Sequence, residues 1–480
     1  MLNRTRRVIL VLSVVLISLC IWSSNTKASD QQTVLIQIDI RDNNEFEQFH
    51  GLDIPIFTQL RGDRGEISLL TLLDQHTHTL LINFGFQTRI LDKETAGSKY
   101  FLISKDYPTY KPVTDPRIVV LNETNTTVLV KADSVNQKSL TQSGYEVKHL
   151  TLHPHILTPA RDVSQSIYSI SPNPNIQSMI DQVSSDSAYD YIGSLSGEWA
   201  IPINGNPYTL STRYSYAEVP IKKATKFVYD HFNSLGLTTY YDTFLDLGPE
   251  LRNVIGEQRG LTNPDCIILL VGHLDSRAAT HAESLTLAPG ADDNASGSTG
   301  VIIAADILHQ YRFACTIRYI LFTGEEQGMF GSEAYAANIY NQGDNVEAVI
   351  NLDMIGFNSD DDLIIGFHTR PDNAGDIAIA NAFIDVIQAF SINLEPEIIQ
   401  DNNQFSDHAS FWDFGYSAVL SIEDFDDFTP DYHKITDTIS TLDFSYLTSF
   451  IQAAVGTTAH LAGYIPPDQI AFFPLIIKSE

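Results

Sequence analysis

Across residues 271–353 the chain sets a chemistry-bearing side chain at the end of one short apolar run after another, and this pattern constrains the fold more than any other. The pieces read VGHLDS at 271–276, APGADDNASG at 288–297, LFTGEEQG at 321–328 and NLDMIG at 351–356. Runs such as 266–271, 317–322 and 348–352 look like buried parallel strands that deliver polar residues to a site at their ends. Farther on, FSDHASF at 405–411 and DYHKITDT at 431–438 supply two more histidines in similar settings. The result is a His, Asp, Glu, Asp, His set.

Imidazole and carboxylate together suit zinc, and a carboxylate can bridge two ions. No thiolate belongs to any of the motifs, whereas structural zinc sites draw on cysteine, so the set reads as catalytic. Glu325 and Glu326 point the same way. Adjacent like charges among apolar residues are costly unless a cation or a shared proton offsets them. One can ligate while the other works as a base.

On these motifs the chain resembles the secreted zinc-dependent exopeptidases of the bacterial leucyl aminopeptidase and aminopeptidase Y type, over roughly residues 176–465. The five motifs stand in that family's order, and the twenty-residue step from His273 to Asp293 is similar to the family's. The resemblance implies an α/β fold, a mixed, mainly parallel sheet sandwiched by helices. It also implies a metalloaminopeptidase that hydrolyses the amino-terminal bond of peptide or protein substrates, with a hydroxide shared by two Zn2+ ions. By the same resemblance His273, Asp293 and Asp353 bind one zinc, and Asp293, Glu326 and His433 the other. Asp293 bridges, and Glu325 is the general base.

Asp292 is the alternative to Asp293, but the family's ligand directly precedes the position of Asn294, and the peptide bond between them is cis in relatives. Tyr432 matches a tyrosine that stabilises the oxyanion in a subset of the family; packing is its other reading. Ser406 is expected by analogy to bond a metal carboxylate, while Asp407 and His408 read as structural. Phe405 departs from relatives that carry a polar group or tyrosine nearby. Asp275 lies two residues beyond His273, and on an extended segment both side chains project to one side. Its carboxylate is therefore expected to accept the free ring N–H of His273 and fix the tautomer. A carboxypeptidase or dipeptidase of this fold stays open, as does a glutaminyl cyclase with a single zinc. A non-catalytic relative is disfavoured because Glu325 and every ligand are present.

Ahead of this region, Arg4, Arg6 and Arg7 precede an apolar run at 8–22, followed by small and polar residues. That is the layout of a secretory signal over residues 1–29, with cleavage after Ala28. A retained anchor would need a slightly longer run, and Leu19 argues against lipid attachment at Cys20. The expectation is a secreted protein with no membrane association after signal removal. The chain holds 29 Lys and Arg against 59 Asp and Glu, a formal charge of −30. With Arg4, Arg6, Arg7 and Lys27 removed the remainder carries about −34, which repels phosphates and excludes nucleic acid as a partner. Nothing in the sequence sets an oligomeric state. Cys266 and Cys315, both beside predicted strands, read as reduced core cysteines rather than a disulfide.

Residues 30–165 form an accessory or pro-region of small α+β modules. The segments at 34–40, 43–53, 54–60, 65–72, 73–85 and 87–94 alternate as strand, helix, strand, strand, helix, strand, a ferredoxin-like order. Segments at 118–124, 126–132 and 145–150 repeat its second half weakly. His76, His78, His149, His153 and His155 lack a carboxylate or cysteine framework and are not read as ligands. A Ser, Pro and Asn-rich linker at 166–175 precedes the peptidase-like domain at 176–465, and a tail follows at 466–480. In the domain, Ala224, Val228, Phe232 and Leu235 share a helical face that Gly236 ends. His281 and Glu283 read as loop residues, and the acidic run at 423–431 as a charged loop rather than a calcium site. Asn122, Asn125 and Asn294 match glycosylation sequons, Asn294 within the site itself.

Overall fold

The computed structural model describes residues 33–61, 67–107, 110–132, 139–140, 142–151, 153, 172–245, 250–371 and 373–470. The secretory signal, most of the linker, His155 and the segment 471–480 lie outside the described residues. The chain divides into two units, one ending at Arg161 and the other running from Asp162 onward, with residues 141–144 joining the second.

The first unit opens with β1 (Val34–Ile40), α1 (Asn43–His50), β2 (Thr58–Arg61), β3 (Ile67–Leu73), α2 (Gln75–Phe84) and β4 (Gln87–Asp92). The two helices begin for a local reason: the carboxylates of Asp42 and Asp74 accept from the backbone N–H groups of Glu45 and Thr77. Gly85, at φ 93°, ends α2 in a left-handed turn that costs glycine nothing. The strands order as β2-β3-β1-β4, with every neighbour antiparallel, which is the ferredoxin-like arrangement. The second strand starts at Thr58, four residues later than the apolar pattern suggests.

A second sheet follows, built from β5 (Lys99–Ser104), β6 (Val119–Glu123), β7 (Thr127–Ala132) and β8 (Val147–His149). Its order, β6-β7-β5-β8, repeats that of the first sheet strand for strand. The histidines here serve packing: His78 Nε2 lies 2.8 Å from the Thr88 hydroxyl, and His149 packs on Phe101.

The second unit starts with α3 (Pro174–Ile180) and α4 (Ser185–Ser196), then the hairpin β9 (Ile201–Ile203) and β10 (Asn206–Tyr208), then α5 (Val219–Ser234). Helix α5 buries Ile221, Ala224, Val228 and Phe232, and Gly236 follows it at φ 79°. The main sheet uses β11 (Thr238–Leu245), β12 (Glu250–Gln258), β13 (Asn263–His273), β14 (Cys315–Phe322), β15 (Asn345–Leu352), β16 (Ile364–His368), β17 (Glu395–Ile399) and β18 (Ala418–Glu423). Interleaved helices are α6 (His281–Ser284), α7 (Gly297–Leu308), α8 (Phe330–Gln342), α9 (Ala374–Phe390), α10 (His408–Trp412) and α11 (Phe444–Leu461). The strand order is β11-β12-β14-β13-β15-β18-β16-β17, and the central four strands run parallel.

Both faces of this sheet are covered at its centre, which is why the central strands β13, β14, β15 and β18 carry continuous buried runs rather than an alternating pattern. Ile268 and Leu270 of β13 pack to one side with Val301 and Ile302 of α7 and Phe450 of α11. Ile267, Leu269 and Val271 pack to the other side with Tyr335 and Ile339 of α8 and Phe411 of α10. Each such buried aliphatic side chain contributes roughly 1.5–3 kcal/mol relative to exposure. No described helix is long and apolar enough to cross a membrane.

Cys266 and Cys315 are disulfide-bonded, not reduced. Parallel pairing of β13 with β14 sets Asn263 and Ile267 opposite Cys315 and Thr316, so the two cysteines meet across the ladder with Cα atoms 4.9 Å apart. That register is a long-range fact that residue spacing cannot convey. Closing the 49-residue loop between them restricts the unfolded chain, a contribution of about 4 kcal/mol in the loop-entropy account. Cys315→Ser is expected to lower stability by about that amount, and reduction of the native chain should shift its denaturant midpoint to the same place. Equal midpoints for oxidised, reduced and substituted chains would show that the bond contributes nothing.

Candidate metal centre

Crossovers leave β13 toward β14 on one side and return to β15 on the other, so the carboxyl ends of these three strands border a crevice at a topological switch point. His273 is the last residue of β13, Glu325 and Glu326 follow β14 by a few residues, and Asp353 follows β15 directly. Asp293 enters from the wide turn Ala291–Ser296 ahead of α7, and His433 from the loop after β18. His433 adopts a positive φ of 54°, rare for a non-glycine residue and concentrated at functional sites.

The turn carrying Asp293 is shaped by two glycines. Gly290 has φ 52°, and a Cβ there would lie 2.3 Å from the Asp293 carbonyl oxygen; at Gly297 a Cβ would lie 2.2 Å from the Leu352 carbonyl oxygen. Only glycine lets this turn sit against β15. Asn294 ties the contact: its Nδ2 donates to Leu352 O at 2.9 Å, and its Oδ1 accepts from Gly297 N and Met354 N. The Asp293–Asn294 peptide bond is cis. Asn294 is wholly buried, which rules it out as a glycosylation acceptor.

Two trios converge among the described residues: His273, Asp293 and Asp353, and Asp293, Glu326 and His433. His273 Nε2 lies 3.3 Å from Asp293 Oδ1 and 3.2 Å from Asp353 Oδ1. His433 Nε2 lies 3.0 Å from Asp293 Oδ2 and 3.3 Å from Glu326 Oε2. The two oxygens of one carboxylate thus face two different histidines. Asp292 turns away, its Oδ1 accepting from Gly356 N, and burial raises its carboxyl to about 7. Ser406 donates to Asp353 Oδ2 at 2.5 Å and accepts from Asn351 Nδ2, leaving Asp353 Oδ1 to face His273.

Asp275 departs from expectation. His273 Nδ1 meets the backbone carbonyl of Asp275 at 3.1 Å, while the Asp275 carboxylate is 3.8 Å away. The chain folds back after His273, so the main-chain oxygen reaches the ring first. The carboxylate instead accepts from Ser215 Oγ and Glu325 N, at 2.9 and 3.3 Å, and so orients the segment bearing Glu325. Tyr432 is buried with its ring stacked 3.6 Å from that of His433.

Several functional residues escaped the sequence reading. Asp437 accepts from the backbone N–H groups of Asp292 and Asp293, holding the turn from outside. Arg213, wholly buried, donates to the carbonyls of Leu195, Leu274, Pro289 and Gly290, joining the His273 strand end to the Asp293 turn. Arg277 contacts Glu326 and His433 directly. It stands next to the motif VGHLDS, and an arginine inside so acidic a set was the available signal. Other candidates are engaged locally: His281 Nδ1 lies 3.0 Å from the Tyr214 hydroxyl, Glu283 pairs with Thr280, and Asp427 accepts from Ser359.

Electrostatics favour a bound cation. Asp275, Asp293, Glu325, Glu326, Asp353 and Asp437 are all buried against the two guanidinium groups. Glu326 Oε1 is buried without a hydrogen bond, a state costly for a carboxylate unless a metal supplies the missing partner. Burial and the Arg277 charge hold His433 at about 3, hence neutral, the form that ligates. The residues therefore fit a divalent metal.

Residues 253–458 match the model of peptidase family M28. A leucine aminopeptidase 1 of Trichophyton rubrum is 32% identical over 185 residues, 36% of this chain and 49% of that protein. A probable zinc metalloprotease of Pyrenophora tritici-repentis is 27% identical over 247 residues, 44% of this chain and 57% of that protein. The chain thus spans about half the length of these fungal relatives. In structure, the LapA aminopeptidase of Legionella pneumophila is similar at a TM-score of 0.58 and 17% identity, covering 77% of this chain and 99% of that one. The matched segment sits in a mixed, mainly parallel sheet between helices, as the resemblance implied.

Proposed function

We propose that this protein is a zinc metalloaminopeptidase that uses two metal ions to release amino-terminal residues from peptides. The observation that carries this reading is Asp293, whose two oxygens face His273 and His433 separately, as a bridging carboxylate must. The match of residues 253–458 to peptidase family M28 and the similarity to a leucine aminopeptidase support it. His273, Asp293 and Asp353 would hold one ion, and Asp293, Glu326 and His433 the other. Bound zinc supplies Lewis-acid polarisation of a carbonyl and lowers the pKa of water.

The chain's own groups do the rest. Glu325 belongs to neither trio and lies beside Glu326, the position for a base that takes a proton from the attacking water and returns it to the leaving amine. Asp275 holds the Glu325 backbone through its N–H. Tyr432, fixed by its stack on His433, offers a phenol to the charge that develops on the substrate oxygen. The excess of buried carboxylates favours a protonated amino terminus in the cleft. Export is supported by the basic and apolar start of the chain and by the Cys266 to Cys315 disulfide, which oxidising compartments favour.

Zinc per chain, measured together with amino-acid release from free and amino-blocked peptides, tests the reading. Two zincs and activity that needs a free amino terminus are expected. Cleavage of blocked peptides from the opposite end would assign a carboxypeptidase, and one zinc with pyroglutamate formation a glutaminyl cyclase.

A further inference from the structure

The two trios differ in what stands behind their histidines. His273 Nδ1 faces the backbone carbonyl of Asp275, an acceptor, at 3.1 Å. The ring must therefore carry its hydrogen on Nδ1, and the Nε2 lone pair is turned toward Asp293 and Asp353. Behind His433 the polarity is reversed. Arg277 Nε lies 2.9 Å from His433 Nδ1, and its Nη2 lies 2.5 Å from the same nitrogen. Guanidinium nitrogens only donate, so Nδ1 here is an acceptor. The hydrogen of the neutral ring is then on Nε2, the atom that faces Asp293 and Glu326.

The same guanidinium pairs with Glu326, its Nε 2.9 Å from Oε2, and Nη1 approaches the Glu326 carbonyl oxygen at 3.4 Å. Both groups that belong to the second trio alone are thus engaged by one buried cation. Among the described residues no cationic side chain stands in this position at the first trio: its private carboxylate, Asp353, is held by the neutral hydroxyl of Ser406.

We propose that Arg277 is a positioning residue that occupies the second half-site as an internal cation, and that its guanidinium leaves His433 and Glu326 when a metal enters. The exchange is obligatory on two counts. A metal on Nε2 requires the ring hydrogen on Nδ1, where a second donor cannot point at it. A metal on Glu326 would also place two cations on one carboxylate at close range. The first trio is preset for metal, whereas the second must be opened. This inference rests on the two-metal reading above.

The test is equilibrium dialysis of the metal-free full chain against buffered zinc, read as zinc per chain, with cobalt absorption as a second readout of ligand geometry. Wild type should load in two separated steps. In Arg277→Met the second step should move to about tenfold lower free zinc or further, with the first step unmoved. Arg277→Lys keeps the charge without the planar fork and should stay nearer to wild type. An unmoved first step also shows that each variant is folded. Should Arg277→Met misfold, a zinc-soaked crystal of wild type decides: the guanidinium is expected beyond hydrogen-bond reach of His433 Nδ1. A second step that is unmoved or weaker in Arg277→Met, or a guanidinium still on Nδ1 with metal on Nε2, overturns the role of Arg277 while two-metal binding stands. Zinc binding at neither trio in any of the proteins overturns both readings.

Discussion

Glu325→Gln is expected to lower kcat by about 10²–10⁴-fold while zinc content and KM stay near wild type. The amide keeps the size of the side chain and the backbone N–H that reaches Asp275, so the turn after β14 has no reason to move. What is lost is the proton acceptor. Because neither trio contains Glu325, the metal sites keep all their ligands, and this separates the substitution from one at Glu326. Zinc per chain and steady-state kinetics on a peptide with a free amino terminus check the outcome together. Loss of zinc along with activity would make Glu325 a ligand, and full activity would move the base elsewhere.

Asp293→Ala should have the wider effect, because it removes one ligand from both trios at once. Each is left with two protein side chains, and both ions are expected to be lost at free zinc levels that saturate wild type. The weakening should exceed the roughly 10- to 100-fold that loss of an outer partner of a ligand costs. Asp353→Ala is the comparison that gives this meaning, since it strips only the first trio and should leave the second able to bind. Asp292→Ala, one residue earlier, should retain both ions, its carboxylate being turned to Gly356. Retention of two zincs by Asp293→Ala would show that the trios do not share this carboxylate in the loaded protein.

The residues of the two trios were legible because most sit where a buried strand or a glycine-bounded turn ends, and polar groups in such places must have a partner. The ferredoxin-like order of the first module was legible too, since helix and strand periods alternate cleanly from Val34 to Asp92. The misread features share another character. The Cys266 to Cys315 bond depends on which strands lie side by side and in what register. The partner of His273 Nδ1 depends on how the backbone turns after β13, which put a carbonyl oxygen where a carboxylate was expected.

Arg277 shows the same limit at the site itself. Its sequence position beside His273 suggests the first trio, yet its side chain crosses to residues 49 and 156 positions away. Local pattern determined the strands, the turns and the polar residues at their ends, because burial and backbone conformation act on neighbouring residues. Which cysteines pair and which cation stands behind His433 were decided only by tertiary structure. Contacts between distant segments are set by packing and strand register, and these have no signature in residue spacing.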